Sequence, residues 1–226
     1  MEDSNLFITE DGSHSIFSNR FGVSYHSKFG AVDEANHVFI NSGLRFKAVL
    51  QQKISILEIG FGTGLNAFVT LLEAKKRNLY IDYVGIEAYP ISIQQAQQLN
   101  YSELFPLEDN PDLFLKLHQC PWNIQTQLND HFSFEKILEK FEAINYANRF
   151  DIIYFDAFAP DAQPELWNDE ILTKMYDALI PDGILVTYCA KGSVKRTLKR
   201  VGFSIEALPG PPRKREMTRA TKSLTS

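Results

Sequence analysis

Three glycines in alternation, Gly60, Gly62 and Gly64, follow directly on the apolar run Ile54-Ser55-Ile56-Leu57-Glu58-Ile59. No other feature of the sequence restricts the fold as tightly. A short apolar run that ends in turn residues is the pattern of a strand buried on both faces. Leu65, Phe68, Val69 and Leu72 then recur at helical spacing, which predicts a helix from Leu65 to Arg77. Strand, glycine turn and helix in that order open a doubly wound α/β sheet.

The alternation continues along the chain. Ile81 to Glu87 predicts a second strand, and Pro90 suits the first turn of a helix running through Leu99. Phe150-Asp151-Ile152-Ile153-Tyr154-Phe155-Asp156 reads as a strand with an acid at its carboxyl end. A helix from Pro164 to Leu179 is expected next, then a turn at Pro181-Asp182-Gly183 into a strand over Ile184 to Tyr188. Ser193 to Val201 predicts a basic helix closed by Gly202, and Phe203 to Ala207 a further strand. Repeated strand–helix units imply a mostly parallel, Rossmann-like sheet with helices on both faces. Two stretches read poorly. Tyr101 to Trp122 looks like a loop-rich insertion with one short helix near Pro111 to Leu117. Within Ile124 to Tyr146, Phe132, Phe134 and Lys136 alternate like a strand, whereas Phe134, Ile137, Leu138 and Phe141 also fit a helix.

Residues 1–50 differ from the main domain, 51–226, and are expected to form a small N-terminal cap within the same unit. Phe7-Ile8-Thr9, Asp11-Gly12 and Ser15-Ile16-Phe17-Ser18 predict a hairpin, continued by Tyr25-His26-Ser27. A helix follows over Asp33 to Ile40.

Ligands of open α/β sheets sit beyond the carboxyl ends of the strands, where the glycines fall. Lacking Cβ atoms, glycines let a ligand approach the backbone. The spacing is Gly-x-Gly-x-Gly, not the Gly-x-Gly-x-x-Gly that aims a helix start at a pyrophosphate. That departure favours S-adenosylmethionine, which has no phosphate, with NAD as the open alternative. Glu58 is placed to answer the cofactor's ammonium directly or through water. Glu87, at the end of the second strand, can accept hydrogen bonds from the ribose hydroxyls. Asp156-Ala157-Phe158-Ala159-Pro160 follows the strand expected to end beside the transferable methyl group. A carboxylate there can hold an amine by its N–H bonds, aim its lone pair and take or relay its proton. Asp156 is the catalytic candidate, Phe158 an apolar wall or stacking face, and Pro160 a stiffener of the loop. A carboxylate that caps the loop or binds cofactor is the plainer reading.

Charge adds one partner class. From Cys189 to Ser226 there are ten Lys or Arg and two Asp or Glu, a balance of +8, which leaves −13 for the residues before it. A basic end on an acidic protein is a candidate footprint for RNA, or else a solvated helix with a loose tail. No apolar stretch approaches the roughly 20 residues that cross a bilayer. The acidic start, Met1-Glu2-Asp3, lacks the pattern of a signal peptide, so a cytoplasmic protein is expected. Scattered histidines and two distant cysteines, Cys120 and Cys189, predict neither a metal site nor a disulfide framework.

Gly60-Phe61-Gly62-Thr63-Gly64-Leu65-Asn66, Phe155 to Pro160, Arg213-Lys214-Arg215-Glu216-Met217, and Tyr25-His26-Ser27 with Asp33 to Ile40 resemble the methyltransferase domain of the MnmC family over nearly the whole chain. The resemblance implies a class I S-adenosylmethionine-dependent methyltransferase. It would act on the aminomethyl group of 5-aminomethyl-2-thiouridine at the tRNA wobble position, in the anticodon region. It assigns Phe61, Thr63 and Asn66, with the glycines, to the cofactor loop, Glu87 to the ribose and Asp156 to the amine. Lys191, Arg213, Lys214 and Arg215 become candidate tRNA contacts. Ala157 stands where the family has glycine, and Ile137-Leu138-Glu139-Lys140 lacks the Gly-Asp that many relatives carry near the adenine. Long MnmC proteins add a flavin-dependent oxidase domain, for which this chain has no room, so a stand-alone methyltransferase is expected. A transferase acting on a small-molecule amine, such as an aminopropyltransferase, and a non-catalytic nucleotide-binding module are the competing functions.

Overall fold

The computed structural model describes residues 5–107 and 110–223. An eight-stranded sheet runs β10-β11-β9-β8-β4-β5-β7-β6. Five parallel strands form its middle: β4 (Lys53–Ile59), β5 (Tyr80–Glu87), β7 (Phe132–Leu138), β8 (Phe150–Phe155) and β9 (Leu179–Thr187). Antiparallel strands close both sides, β6 (Thr126–Asn129) beside β7 and the hairpin β10 (Phe203–Pro209) and β11 (Glu216–Lys222) beside β9. The chain passes from β4 to β5 on one side and later returns to β8 on the other. The carboxyl ends of β4 and β8 therefore flank the topological switch point, where such sheets open a crevice.

The two sheet faces are covered separately. One packs under α3 (Leu65–Arg77), α6 (Leu113–Gln119) and a long helical run made of α1 (Ala31–Ala35), a π-helical stretch (Asn36–Leu44) and α2 (Arg45–Ala48). α4 (Ile93–Gln97) and α5 (Tyr101–Leu104) link β5 to that layer. The other face packs under α7 (Asp169–Ala178) and α8 (Gly192–Val201). Ser92 and Gln95 form a reciprocal cap at the start of α4, and Lys75, Lys76 and Arg77 lie in the last turn of α3, where cations favour the helix dipole. No helix among the described residues is long and apolar enough to cross a membrane.

In the N-terminal region β1 (Leu6–Ile8), β2 (His14–Ser18) and β3 (Val23–Ser24) form a separate antiparallel sheet. The third strand lies two residues ahead of the expected Tyr25-His26-Ser27; Tyr25 N still donates to Ile16 O of β2 and His26 N to Ser15 Oγ, at the edge of the small sheet. The long helical run buries Val38, Phe39, Ile40 and Leu44 in the same core as Ile56 and Phe68.

One expectation is corrected and two open readings are decided. The ambiguous 124–146 stretch is two antiparallel strands followed by a 3-10 turn at Phe141–Ala143, because Phe132, Phe134 and Lys136 all point into the core. The Pro164 to Leu179 helix begins as a 3-10 turn, Pro164–Trp167, and restarts at Asp169 with Asn168 capping Ile171 N. The supposed loose tail includes β11, hydrogen-bonded on both sides between β9 and β10.

Candidate active site at the switch point

The glycine turn is clamped before any ligand is considered. Gly60 N and Phe61 N both donate to Ile86 O at 3.0 Å, and Asp156 N donates to Ile59 O at 3.0 Å. These bonds tie the ends of β4, β5 and β8 together and bring Asp156 against the turn. Gly60, Gly62 and Gly64 all have positive φ, at 92°, 51° and 75°. A Cβ on Gly60 would stand 2.8 Å from Asp156 O, and one on Gly62 2.9 Å from the Tyr25 ring. Both glycines are therefore required by close approach as well as by backbone conformation.

Three carboxylates surround this turn. Glu87 accepts from Gly62 N and Tyr89 N, each at 2.8 Å, and burial raises its pKa against those two bonds. Asn66 Nδ2 donates at once to Glu58 Oε1 at 3.0 Å and Asp156 Oδ2 at 2.8 Å. Burial pushes both Glu58 and Asp156 well above the usual carboxylate range. Asn66 Oδ1 has no hydrogen-bond partner among the described residues, whereas Glu58 Oε2 turns toward Gly85 and Tyr83 on β5. Two buried carboxylates bridged by a single amide favour a positively charged ligand.

A narrow cavity opens over the turn. Of the sequence candidates, Gly60, Phe61, Gly62, Thr63, Asn66, Glu87, Asp156 and Phe158 line it; Glu58, Gly64 and Pro160 do not. Glu58 is fully buried behind Asn66, and Gly64 packs on His118 and Phe61. Phe61 is largely turned into the core, 5.4 Å from the His118 ring and 5.8 Å from Phe134, so it anchors the turn. The loop after Asp156 is pinned by Tyr188 Oη donating to Ala157 O at 2.9 Å, Trp167 Nε1 donating to Phe158 O at 2.9 Å and Phe158 N donating to Gln163 Oε1 at 3.2 Å.

Sequence reasoning missed the lid. Phe21 and Tyr25 arrive from the N-terminal region, with ring centroids 4.9 and 5.1 Å from Phe158, and Tyr89 lies 5.7 Å from Phe21. His26 joins lid to turn, its Nδ1 3.1 Å from Ser15 Oγ and its Nε2 3.4 Å from Thr63 Oγ1. Burial lowers the His26 pKa to about 4, so the imidazole is neutral near pH 7. Phe141 supplies a wall just beyond Ile137 to Lys140, where the Gly-Asp pattern is lacking. Only the string Tyr25-His26-Ser27 gave any signal for these residues.

Much of the basic end is ion-paired. Lys191 pairs with Asp161 at 2.5 Å, Lys195 with Glu216 at 2.7 Å, Arg219 with Glu206 at 2.7 Å, and Arg200 with Asp169. Lys191, Lys214 and Arg215 line one shallow groove together with Tyr188, whereas Arg213 faces the Phe29 ring at 5.9 Å. Among the described residues no group of three or more His, Cys, Asp or Glu could hold a metal ion.

A protein-family model described as S-adenosyl-L-methionine-dependent methyltransferase matches residues 107–223, just over half of the chain. The chain belongs to that family. Curated relatives of this methyltransferase include the tRNA 5-methylaminomethyl-2-thiouridine biosynthesis bifunctional protein MnmC of Aromatoleum aromaticum, 29% identical over 97% of this chain and 35% of the relative. The MnmC of Leptospira borgpetersenii is 30% identical over 88% of this chain and 32% of its own length. The chain thus spans about a third of the length of the curated relatives it matches. The solved structure of MNMC2 from Aquifex aeolicus superposes with a TM-score of 0.80 at 24% identity, covering 100% of this chain and 72% of that one. A spermidine synthase shares the fold at a TM-score of 0.52 and 15% identity, over 94% of this chain and 71% of its own.

The residues present fit the family's cofactor. The glycine turn offers backbone to the amino-acid end, the Glu87 carboxylate suits ribose hydroxyls, and the carboxylates around Asn66 suit a sulfonium and an ammonium. A stability prediction follows from Glu58. A raised folded pKa leaves its contribution intact below its ordinary value of 4.5 and removes it as pH climbs toward the folded value. Glu58→Gln is expected to raise the Tm of cofactor-free protein at neutral pH, by about 2–4 °C for each kcal/mol recovered. It should also weaken binding of the cationic cofactor. Thermal melts across pH with calorimetric titration check this; a lower Tm at pH 7 would count against it.

Proposed function

We propose that this methyltransferase transfers a methyl group to the aminomethyl nitrogen of 5-aminomethyl-(2-thio)uridine at the tRNA wobble position, giving the methylaminomethyl form. The supporting observation is the placement of Asp156 against the glycine turn, in the cavity, with one carboxylate oxygen held by Asn66. Adenosylmethionine, when bound, supplies a methyl already activated on positive sulfur. The protein must then orient a neutral amine and exclude water. An alkyl amine is protonated at neutral pH, so Asp156 takes a proton and holds the remaining N–H bonds, leaving the lone pair free. Its raised pKa suits a proton acceptor for that task.

The lid rings and Phe158 offer apolar faces for a pyrimidine ring presented out of its stack. Lys191 and Arg215 line a groove beside Tyr188, and with Arg213 they are the candidate contacts for backbone phosphates. Such work belongs in the cytoplasm, with tRNA. The relatives' names and the amine-directed acid both support this reading.

The test is mass spectrometry of wobble nucleosides after tRNA bearing aminomethyluridine is incubated with enzyme and adenosylmethionine. Gain of one methyl on that nucleoside is the expected result. Methylation of free amines, with tRNA unmodified, would return the chain to small-molecule chemistry. Neutralising Lys191, Arg213 and Arg215 together should weaken tRNA binding and flatten its salt dependence by about one slope unit for each phosphate no longer engaged, with cofactor affinity unchanged.

A further inference from the structure

Lys214 does not sit as a phosphate-binding lysine should. It belongs to the turn between β10 and β11, where Lys214 N donates to Pro211 O and Gly210 N to Arg215 O. Its ammonium is bound to the carboxylate of Glu34 in α1, a residue only 8% exposed. The other Glu34 oxygen accepts from Ser27 N at 3.1 Å. The same ammonium lies 4.2 Å from the centre of the Tyr188 ring, and Tyr188 donates its hydroxyl hydrogen bond to Ala157, the neighbour of Asp156. A cation from the C-terminal hairpin and an anion from the N-terminal helix thus meet against Tyr188, whose hydroxyl holds the residue next to the reacting acid. A lysine held by a part-buried carboxylate and an aromatic face is poorly placed to swing toward a phosphodiester.

We propose that Lys214, through its pairing with Glu34 and its contact with Tyr188, is a positioning residue that sets the charge state of Asp156 and the pose of the loop behind it. The inference deepens the amine-methylation reading and uses its proton acceptor. The electrostatics run the same way: Glu34 raises the Asp156 pKa and Lys214 lowers it. Glu58 on β4, Tyr83 on β5 and Tyr188 after β9 also act with Asp156, and Glu87, Tyr89, Tyr25 and the neutral His26 line the same cavity. None of them is a cation, so Lys214 is the positive charge that offsets Glu34. Removing the lysine alone leaves Glu34 unpaired and makes Asp156 harder to ionise.

The experiment uses the full chain with Lys214→Met, Lys214→Arg and the double variant Lys214→Met/Glu34→Gln. For Lys214→Met, the acidic limb of kcat at saturating tRNA and cofactor is expected to move up by about one pH unit, the scale of one charge several ångströms away in a part-buried site. Below the limb that is roughly a tenfold loss of turnover. The salt slope of tRNA binding should not change. Lys214→Arg should keep the limb in place, and the double variant should bring it most of the way back. A limb that stays put while the salt slope flattens would make Lys214 a phosphate contact and overturn the proposal. A carbon-13 NMR titration of the Asp156 carboxylate needs no methyl acceptor. If tRNA proves not to be the substrate, that titration still moves with Lys214 under this proposal. If Asp156 titrates as far from wild type in the double variant as in Lys214→Met, or moves in neither, the proposal is wrong.

Discussion

Replacing Asp156 by alanine is expected to lower turnover at least ~10²-fold, the usual scale for a positioned acid–base group. Adenosylmethionine affinity should change far less. We assign that affinity to the glycine turn, clamped by Ile86 O, and to Glu87, whose carboxylate is fixed by Gly62 N and Tyr89 N without help from Asp156. Asp156→Asn is the sharper variant. It keeps the shape and an oxygen to accept from Asn66, but it cannot take a proton, so it should lose as much turnover as alanine does. The sign of the pH dependence follows from the same residue. Burial raises the Asp156 pKa, so the wild-type rate should climb as pH rises through that raised value. The limb should vanish from whatever residual rate Asp156→Asn retains. Single-turnover kinetics with both variants check this, and near-wild-type turnover in the asparagine variant would end the role assigned here.

The parts of the site legible in the sequence are those built from neighbours along the chain. The glycine turn follows its own strand, and Glu87 and Asp156 each close an apolar run that a buried parallel strand requires. Residues whose roles depend on distant partners gave little or no sign. Tyr25 seats on Gly62 across 37 positions, and its ring reads in isolation as one more strand residue. In 124–146 Lys136 continued the strand alternation of Phe132 and Phe134, but the helical spacing of Phe134, Ile137, Leu138 and Phe141 left the reading open. The Lys136 ammonium is satisfied by His118 O and the Trp122 ring 4.5 Å away, and burial lowers its pKa to about 8. Arg219 hid β11. As one more cation it counted toward a solvated basic end, yet it is nearly buried, paired with Glu206 and stacked 3.6 Å over Phe46. Charge read along a sequence overstates what reaches solvent, and the tRNA-contact candidates thin out once Asp161 and Glu34 claim Lys191 and Lys214.

Gly60→Ala is expected to damage fold and cofactor site together. At φ 92° a non-glycine residue costs roughly 1–3 kcal/mol in backbone strain. The added methyl would also stand 2.8 Å from Asp156 O and 3.2 Å from its carbonyl carbon. Those are backbone atoms, and they cannot step aside while Asp156 N remains bonded to Ile59 O and Gly60 N to Ile86 O. Forcing the gap adds about 1–3 kcal/mol of overpacking. Together these amount to a Tm lower by roughly 5–20 °C in a domain of this size. Because the displaced strand end carries Asp156 and the turn is the cradle we propose for the cofactor, adenosylmethionine affinity should fall at least ~10-fold, the loss of about 1.4 kcal/mol. Gly22 is the control within the same chain. Its φ is 68°, and a Cβ there would meet nothing within 4 Å, so Gly22→Ala carries strain without crowding. The Tm difference between the two variants isolates the crowding between β4 and β8. If the two melt alike and bind cofactor alike, the ends of those strands are not packed as described, and the cradle that places Asp156 beside the methyl group loses its basis.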